Sequence, residues 1–194
     1  MIKGSEKRHA AYPIDRIFID RWSPRAMLGE SIPAEKLHAL FEAARWAPSS
    51  MNNQPWRMLY ATRDSRHWPL FFDLLVDANK TWCVNAAALL VFVSKRTHEN
   101  GSPCRTHSFD CGAAWMSLAL QGNMAGYVVH GMQGFDYERA RTSLNIPDGY
   151  EVEAMVAIGL PGDAHHLPEA LQARELPSDR RPLEQTICEG PFGL

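Results

Sequence analysis

The chain has 194 residues, a formal net charge of -2, 45% hydrophobic residues and 22% charged residues. That is room for one domain with a well-filled core. The charge balance offers no broad basic field for nucleic acid or anionic lipid, and the longest apolar run, AAALLVFV at 86–93, is too short to span a membrane.

The first sixteen residues, MIKGSEKRHAAYPIDR, lack the apolar centre of a signal peptide. Cys83, Cys104, Cys111 and Cys188 form no CxxC and no metal-like pairing with histidine. They read as reduced thiols of a cytoplasmic protein. His165 and His166 fall in a surface loop and read as solvated rather than metal-binding.

Residues 34–46, AEKLHALFEAARW, carry Leu37, Leu40, Phe41 and Ala44 at helical spacing. Ser31 and Pro33 suit a cap and a first-turn proline. Pro48 ends the helix by Ala47, because the residue before a proline avoids helical geometry. The stretch WAPSSMNNQPW, 46–56, is therefore the loop leaving this helix, and WRMLYA, 56–61, is a strand. Residues 67–78, HWPLFFDLLVDA, form a second amphipathic helix. AAALLVFVS, 86–94, is a continuous apolar run and so a strand buried on both faces.

A long helix follows over 107–124, ended by Gly126. YVVH, 127–130, is a short strand, GMQGF, 131–135, a glycine-rich turn, and 136–145 a helix capped by Asp136. EVEAMVAIG, 151–159, is a further strand. Residues 161–194 are rich in proline and charge, bury little by themselves and need another surface, for which a partner subunit is one natural candidate. The pattern is an α+β sandwich with about four strands and five helices. Two strands follow their helices at crossover length, so a mixed sheet with some parallel pairing is expected.

Four short stretches have chemistry to offer. RWSPRA, 21–26, puts two arginines and a serine in one turn, which suits a phosphate, although composition alone favours a solvated turn with surface ion pairs. PSSMNNQPW, 48–56, mixes amide donors and acceptors as a flat heterocycle requires, or as a turn satisfying its own backbone does. GMQGFD, 131–136, lets backbone approach a ligand closely, yet lacks the GxGxxG dinucleotide fingerprint. SDRRPL, 178–183, places two adjacent arginines in the tail.

Taken in order, RWSPR, APSSMNNQPW, GMQGFD and RRPL resemble the nitroreductase family of flavoenzymes. The likeness runs from about residue 14 to the end, and the 47–56 segment is its most specific part. The resemblance implies a nitroreductase-like α/β sandwich, a swapped homodimer whose C-terminal segments (here about 161–194) embrace the partner. It also implies two FMN sites per dimer, each built from both subunits.

By the family's motifs, Arg21, Ser23 and Arg180 would hold the FMN phosphate, with Arg181 as the alternative to Arg180. Trp22 would contribute by backbone or packing, and Arg25 would lie near the pyrimidine edge of the flavin. Pro48, Ser49, Ser50 and Asn52 would approach from the other subunit, while Gln54 and Trp56 pin their loop. Gln133 and Gly134 would direct backbone N–H at flavin N5, and Asn79 matches, more loosely, an asparagine that touches the flavin. Trp46, Trp82, Phe109 and Trp115 are candidates for the pocket wall or for the core.

The implied activity is ping-pong transfer of hydride from NAD(P)H, through flavin N5, to a nitroaromatic, quinone or similar small-molecule acceptor. No side chain is required as acid or base. The alternatives are a flavin-binding redox sensor without turnover, or a specialised enzyme on the same fold, such as a dehalogenase, a dehydrogenating oxidase or a flavin-fragmenting enzyme. The short 62–66 and 94–107 connections leave little room for the lid those specialised enzymes carry.

Overall fold

The computed structural model describes residues 2–193. In chain order the helices and strands are α1 (Ile17–Asp20), α2 (Ala34–Arg45), β1 (Trp56–Thr62), α3 (Trp68–Phe72), α4 (Asp77–Cys83) and β2 (Ala88–Lys95). They continue with α5 (His107–Met124), β3 (Val128–Met132), α6 (Tyr137–Ser143), β4 (Tyr150–Gly159) and α7 (Glu169–Gln172). No helix among the described residues is long and apolar enough to cross a membrane.

The four strands form one sheet in the order β1-β2-β4-β3. The α+β class is as expected, but the sheet is not mixed: all three pairings are antiparallel. The reason lies in β4. β2 and β3, joined through α5, do run in the same direction, as a helical crossover demands. The last strand then slots between them and bonds antiparallel to both.

Every residue of β2 from Ala88 to Ser94 is buried, because helices cover both faces of the sheet. Leu89, Val91 and Val93 join Val128, Met155 and Ala157 against Phe71, Leu74, Trp82 and Ala140 on one side. Leu90 and Phe92 join Val129, Val156 and Ile158 against Leu37, Leu40, Ala44, Cys111, Ala114 and Leu118 of α2 and α5 on the other. Each of the Val, Leu, Ile, Phe and Met side chains among them contributes about 1.5–3 kcal/mol on burial. The period-2 alternation of a strand is thus invisible in 86–94 because both of its faces are core.

The helix expected over 67–78 is two helices. Between α3 and α4 the backbone leaves the helical path to pair with the 134–136 turn: the Val76 amide donates to the Gly134 carbonyl (3.1 Å) and the Asp136 amide to the Leu74 carbonyl (2.8 Å). The α2 start also differs. Pro33 occupies the cap position itself, and the Ser31 hydroxyl donates to Asp64 instead of the helix. The Asp136 cap is present, its carboxylate accepting from the Arg139 amide at 2.9 Å.

The C-terminal segment divides in two. Its first part lies on its own chain, with Leu167, Glu175 and Pro177 buried; every described residue from Arg181 onward is exposed. At the start of this segment Gly162 passes under the 26–28 backbone, where a Cβ would stand 2.7 Å from the Met27 carbonyl carbon and 2.8 Å from its oxygen. Backbone cannot yield as a side-chain tip does. Gly162→Ala is therefore expected to lower stability by about 1–3 kcal/mol, read as a lower urea midpoint; an unchanged midpoint would show that this crossing is loose.

Candidate functional site

The RWSPR turn leaves α1 and lies across the edge of the sheet. Trp22 is buried, and its indole N–H donates to the Ile2 carbonyl at 2.9 Å. Alternate side chains therefore point outward: Arg21 Nη1 donates to Ser23 Oγ at 3.3 Å, while Arg21 Nε is buried with no hydrogen-bond partner. Burial, and then the neighbouring charges of Arg8 and Arg180, pull the Arg21 pKa below the usual arginine value. Two arginines from RWSPR and the tail, joined by Arg8 from the N-terminal segment, thus converge on one place, a donor set complementary to a phosphate.

Arg25, unlike Arg21, has a carboxylate partner. Its guanidinium pairs with Glu175 at 3.7 Å. The same carboxylate accepts from the backbone amides of Arg25 (2.5 Å) and Ala26 (2.8 Å). Glu175, 8% exposed, is a clamp from the C-terminal segment that holds the turn in shape.

A line of contacts runs from this turn to the 131–135 segment. His130 of β3 lies against the turn, its Nδ1–H donating to the Pro24 carbonyl at 2.8 Å. The His130 ring meets the Trp82 indole with centroids 4.7 Å apart. Trp82 Nε1–H donates to Asn79 Oδ1 (3.3 Å), and Asn79 Nδ2 donates to the Gly134 carbonyl (3.0 Å). Both ends of the Asn79 amide are engaged inside the protein. A Cβ at Gly134 would stand 2.6 Å from Asn79 Nδ2, so glycine is what permits this contact. Beside exposed Gln133 lies a groove of about 300 Å³ whose walls include Trp115, Cys111, Phe92 and Glu153.

The 48–54 loop stands elsewhere. The Ser50 amide donates to the buried Asp110 carboxylate at 3.1 Å, which also accepts from Thr106 Oγ1 at 3.1 Å. The loop is thereby tied to the first turn of α5. Gln54 closes it, its amide donating to Ser49 Oγ (3.0 Å) and its side chain to the Asn52 carbonyl (3.1 Å), and buried Trp56 anchors the exit.

Met51, Asn52 and Gln54 all have positive φ, at 52°, 55° and 46°. Left-handed backbone costs a non-glycine residue of order 1–3 kcal/mol and collects at ligand clamps. Around this loop Trp46, Met51 and Phe109 are 74%, 88% and 81% exposed.

One chain therefore brings together Arg21, Trp22, Ser23, Arg25, Asn79, Gln133, Gly134 and Arg180. It does not bring Pro48, Ser49, Ser50 and Asn52 to them. The groove at Met51–Gln54, the groove beside Gln133 and the groove at Arg8 and Arg180 share no lining residue. Arg181 lines the last of these, but only Arg180 is close enough to depress the Arg8 and Arg21 pKa values. Trp82 belongs to the core and Trp115 to the groove wall.

Sequence reasoning missed Arg8, Asp110, His130 and Glu175. Each is a single polar residue in an ordinary context, marked only by the burial of Arg8, Asp110 and Glu175 and by the contacts of half-buried His130.

A family model described as the nitroreductase family matches residues 19–81. A solved structure of an FMN-containing oxidoreductase is 48% identical, with 96% of each chain covered and a TM-score of 0.93. An uncharacterized 15.4 kDa protein of Mycolicibacterium smegmatis is 34% identical over 110 residues, which is 56% of this chain and 74% of that one. The NADH dehydrogenase of Thermus thermophilus is 27% identical over 87% of this chain and 92% of its own length.

The His130 environment sets a pH dependence. Burial, with Arg25 and Arg21 adding to it against the Pro24 hydrogen bond, pushes its pKa down from 6.5 to about 4. Between these values the unfolded chain holds a proton that the folded chain refuses, so stability falls as pH drops from 6.5 toward 4 and levels off below. Urea unfolding at pH 7 and at pH 4.5 should show this loss. His130→Gln, which cannot titrate, should lose less over the same interval; an equal loss would mean that His130 titrates normally.

Proposed function

The chain belongs to the nitroreductase family, and we propose that it is an FMN-dependent oxidoreductase taking hydride from NAD(P)H and passing it to a nitroaromatic, quinone or similar conjugated acceptor. The observation that carries this reading is the convergence of Arg21 and Arg180, with a buried, unpartnered Arg21 Nε, at one end of a contact line whose other end is the Gly134 turn. A phosphate complements the first end, and a flat ring system beside close-approaching backbone suits the second. The similar FMN-containing oxidoreductase and NADH dehydrogenase support the cofactor and the donor.

In this reading Arg21, Ser23 and Arg180 bind the FMN phosphate, and Trp22 fixes their turn by its burial. Arg25, held by Glu175, places a cation by the pyrimidine edge, where negative charge develops on reduction. Gln133 and Gly134 present backbone N–H toward N5. Asn79, with both amide ends engaged, acts by holding the Gly134 turn rather than by touching the ring. Bound FMN supplies the two-electron chemistry. The groove beside Gln133, with Trp115 in its wall, offers an aromatic surface for donor and acceptor in turn, as a ping-pong exchange requires.

The whole chain acts as one domain in a homodimer with two sites. Pro48, Ser49, Ser50 and Asn52 reach the flavin of the partner subunit, and the exposed residues from Arg181 onward lie across it. Support comes from the exposed apolar side chains Trp46, Met51 and Phe109, which a second copy would cover, and from the strained backbone of the 48–54 loop.

The test is the visible spectrum of the purified protein, repeated after anaerobic NADH and NADPH. A flavin spectrum that bleaches is the expected result. A flavin that stays oxidised with both donors would leave a binding protein without turnover, and no flavin even after added FMN would overturn the reading.

Two substitutions test the site. Arg21→Ala should weaken FMN binding by about 1.5–3 kcal/mol through loss of a charge-assisted contact; full flavin retention would remove Arg21 from the phosphate site. Asn52→Ala should also lose FMN, although the loop stands apart from Arg21 within one chain. An unaltered affinity there would count against a site shared between subunits.

A further inference from the structure

Residues 2–8 precede both the matched family region and the RWSPR turn, yet they are built tightly into the fold. Gly4 is pressed against α1, where a Cβ would overlap the Ile19 carbonyl oxygen at 1.8 Å. The Ser5 amide donates to the Asp20 carboxylate (3.2 Å), and the Ile2 carbonyl accepts from Trp22 Nε1 (2.9 Å). This strap delivers Arg8, only 7% exposed. Arg8 Nε donates to the Ser178 carbonyl at 2.6 Å, and Nη1 donates to the Arg21 carbonyl at 2.8 Å and the Ile19 carbonyl at 3.3 Å.

All three acceptors are neutral. Among the described residues none of Arg8, Arg21 and Arg180 forms a salt bridge with a carboxylate. Asp179 is the one acid that acts on Arg8 at longer range, against the depressing effects of burial and of Arg180. A surface ion-pair network would have interleaved acids. Three guanidinium groups gathered with so little counter-charge, two of them at least partly buried, are costly unless an anion joins them.

We infer that Arg8 is a third cation of the phosphate site, and that it positions the other two by gripping the Arg21 carbonyl on one side and the Ser178 carbonyl, two residues before Arg180, on the other. The inference rests on the FMN reading above. It assigns to the N-terminal strap a binding role: it closes the arginine set around a phosphomonoester dianion and ties the C-terminal segment to the RWSPR turn.

The test compares FMN with riboflavin, which lacks only the phosphate. The full chain, stripped of flavin, is titrated with each ligand, and binding is followed by quenching of flavin fluorescence. Arg8→Gln should weaken FMN about ten-fold while riboflavin affinity changes by less than about two-fold, because no charged contact with riboflavin is lost. Equal weakening of both ligands would reduce Arg8 to a structural residue and overturn the inference, as would no change in either.

Should Arg8→Gln fail to fold, Arg8→Lys decides. It keeps the charge, and preference for FMN over riboflavin should persist with a reduced margin; loss of both ligands alike would again overturn the inference. A wild-type chain that binds neither flavin would defeat the FMN reading itself, which is distinct from a wild type that prefers FMN and an Arg8→Gln variant that prefers it equally.

Discussion

A strand buried on both faces has little freedom in what surrounds it. From Ala88 to Ser94, β2 has no exposed residue, so every side chain it carries must meet a helix or another strand. β1 and β4 bond to its two edges, α2 and α5 cover one face, and α3, α4 and α6 close the other. Leaving any of these away would uncover several large apolar groups at about 1.5–3 kcal/mol each. β4 completes the arrangement by filling the gap between β2 and β3, and that insertion makes the whole sheet antiparallel.

The candidate site hangs from the edge of this core. β3 is the outer strand beside β4, and its polar residue His130 is half-buried and wedged between the RWSPR turn and Trp82, with its pKa pushed down. Trp82 is itself core, 2% exposed. The cation turn and the glycine turn are therefore registered to each other through packed rings and the Asn79 amide, not through mobile surface contacts. Such rigidity suits a site that must hold a large planar cofactor without spending binding energy on ordering its own loops.

Two features of the chain point beyond its own surface. The 48–54 loop holds three non-glycine residues at positive φ while presenting Met51 and Asn52 outward, so strain is maintained there by the Asp110 tie and the Gln54 closure. Every described residue from Arg181 onward, by contrast, is exposed on its own chain. The charge cluster of Arg8, Arg21 and Arg180 likewise has no salt-bridged carboxylate among the described residues. The proposed dimer, holding a phosphorylated ligand, would fill all three gaps.

The order of elements was legible in the residues themselves, because it depends on local spacing: the apolar run at 86–94, the helix over 107–124 and the Asp136 cap need only their neighbours in sequence. The four motifs were legible for the same reason, since each is a contiguous run. What only the tertiary structure decided are the relations between distant segments. β4 inserting between β2 and β3, the break of 67–78 where Leu74 and Val76 bond to the 134–136 turn, and the union of Arg8 with Arg21 and Ser178 across 13 and 170 positions leave no local trace. A polar residue such as Glu175, His130 or Arg8 looks the same in sequence whether solvated or buried. Its role is set by desolvation and by which carbonyl, ring or charge the fold brings beside it, and those are properties of packing, not of pattern.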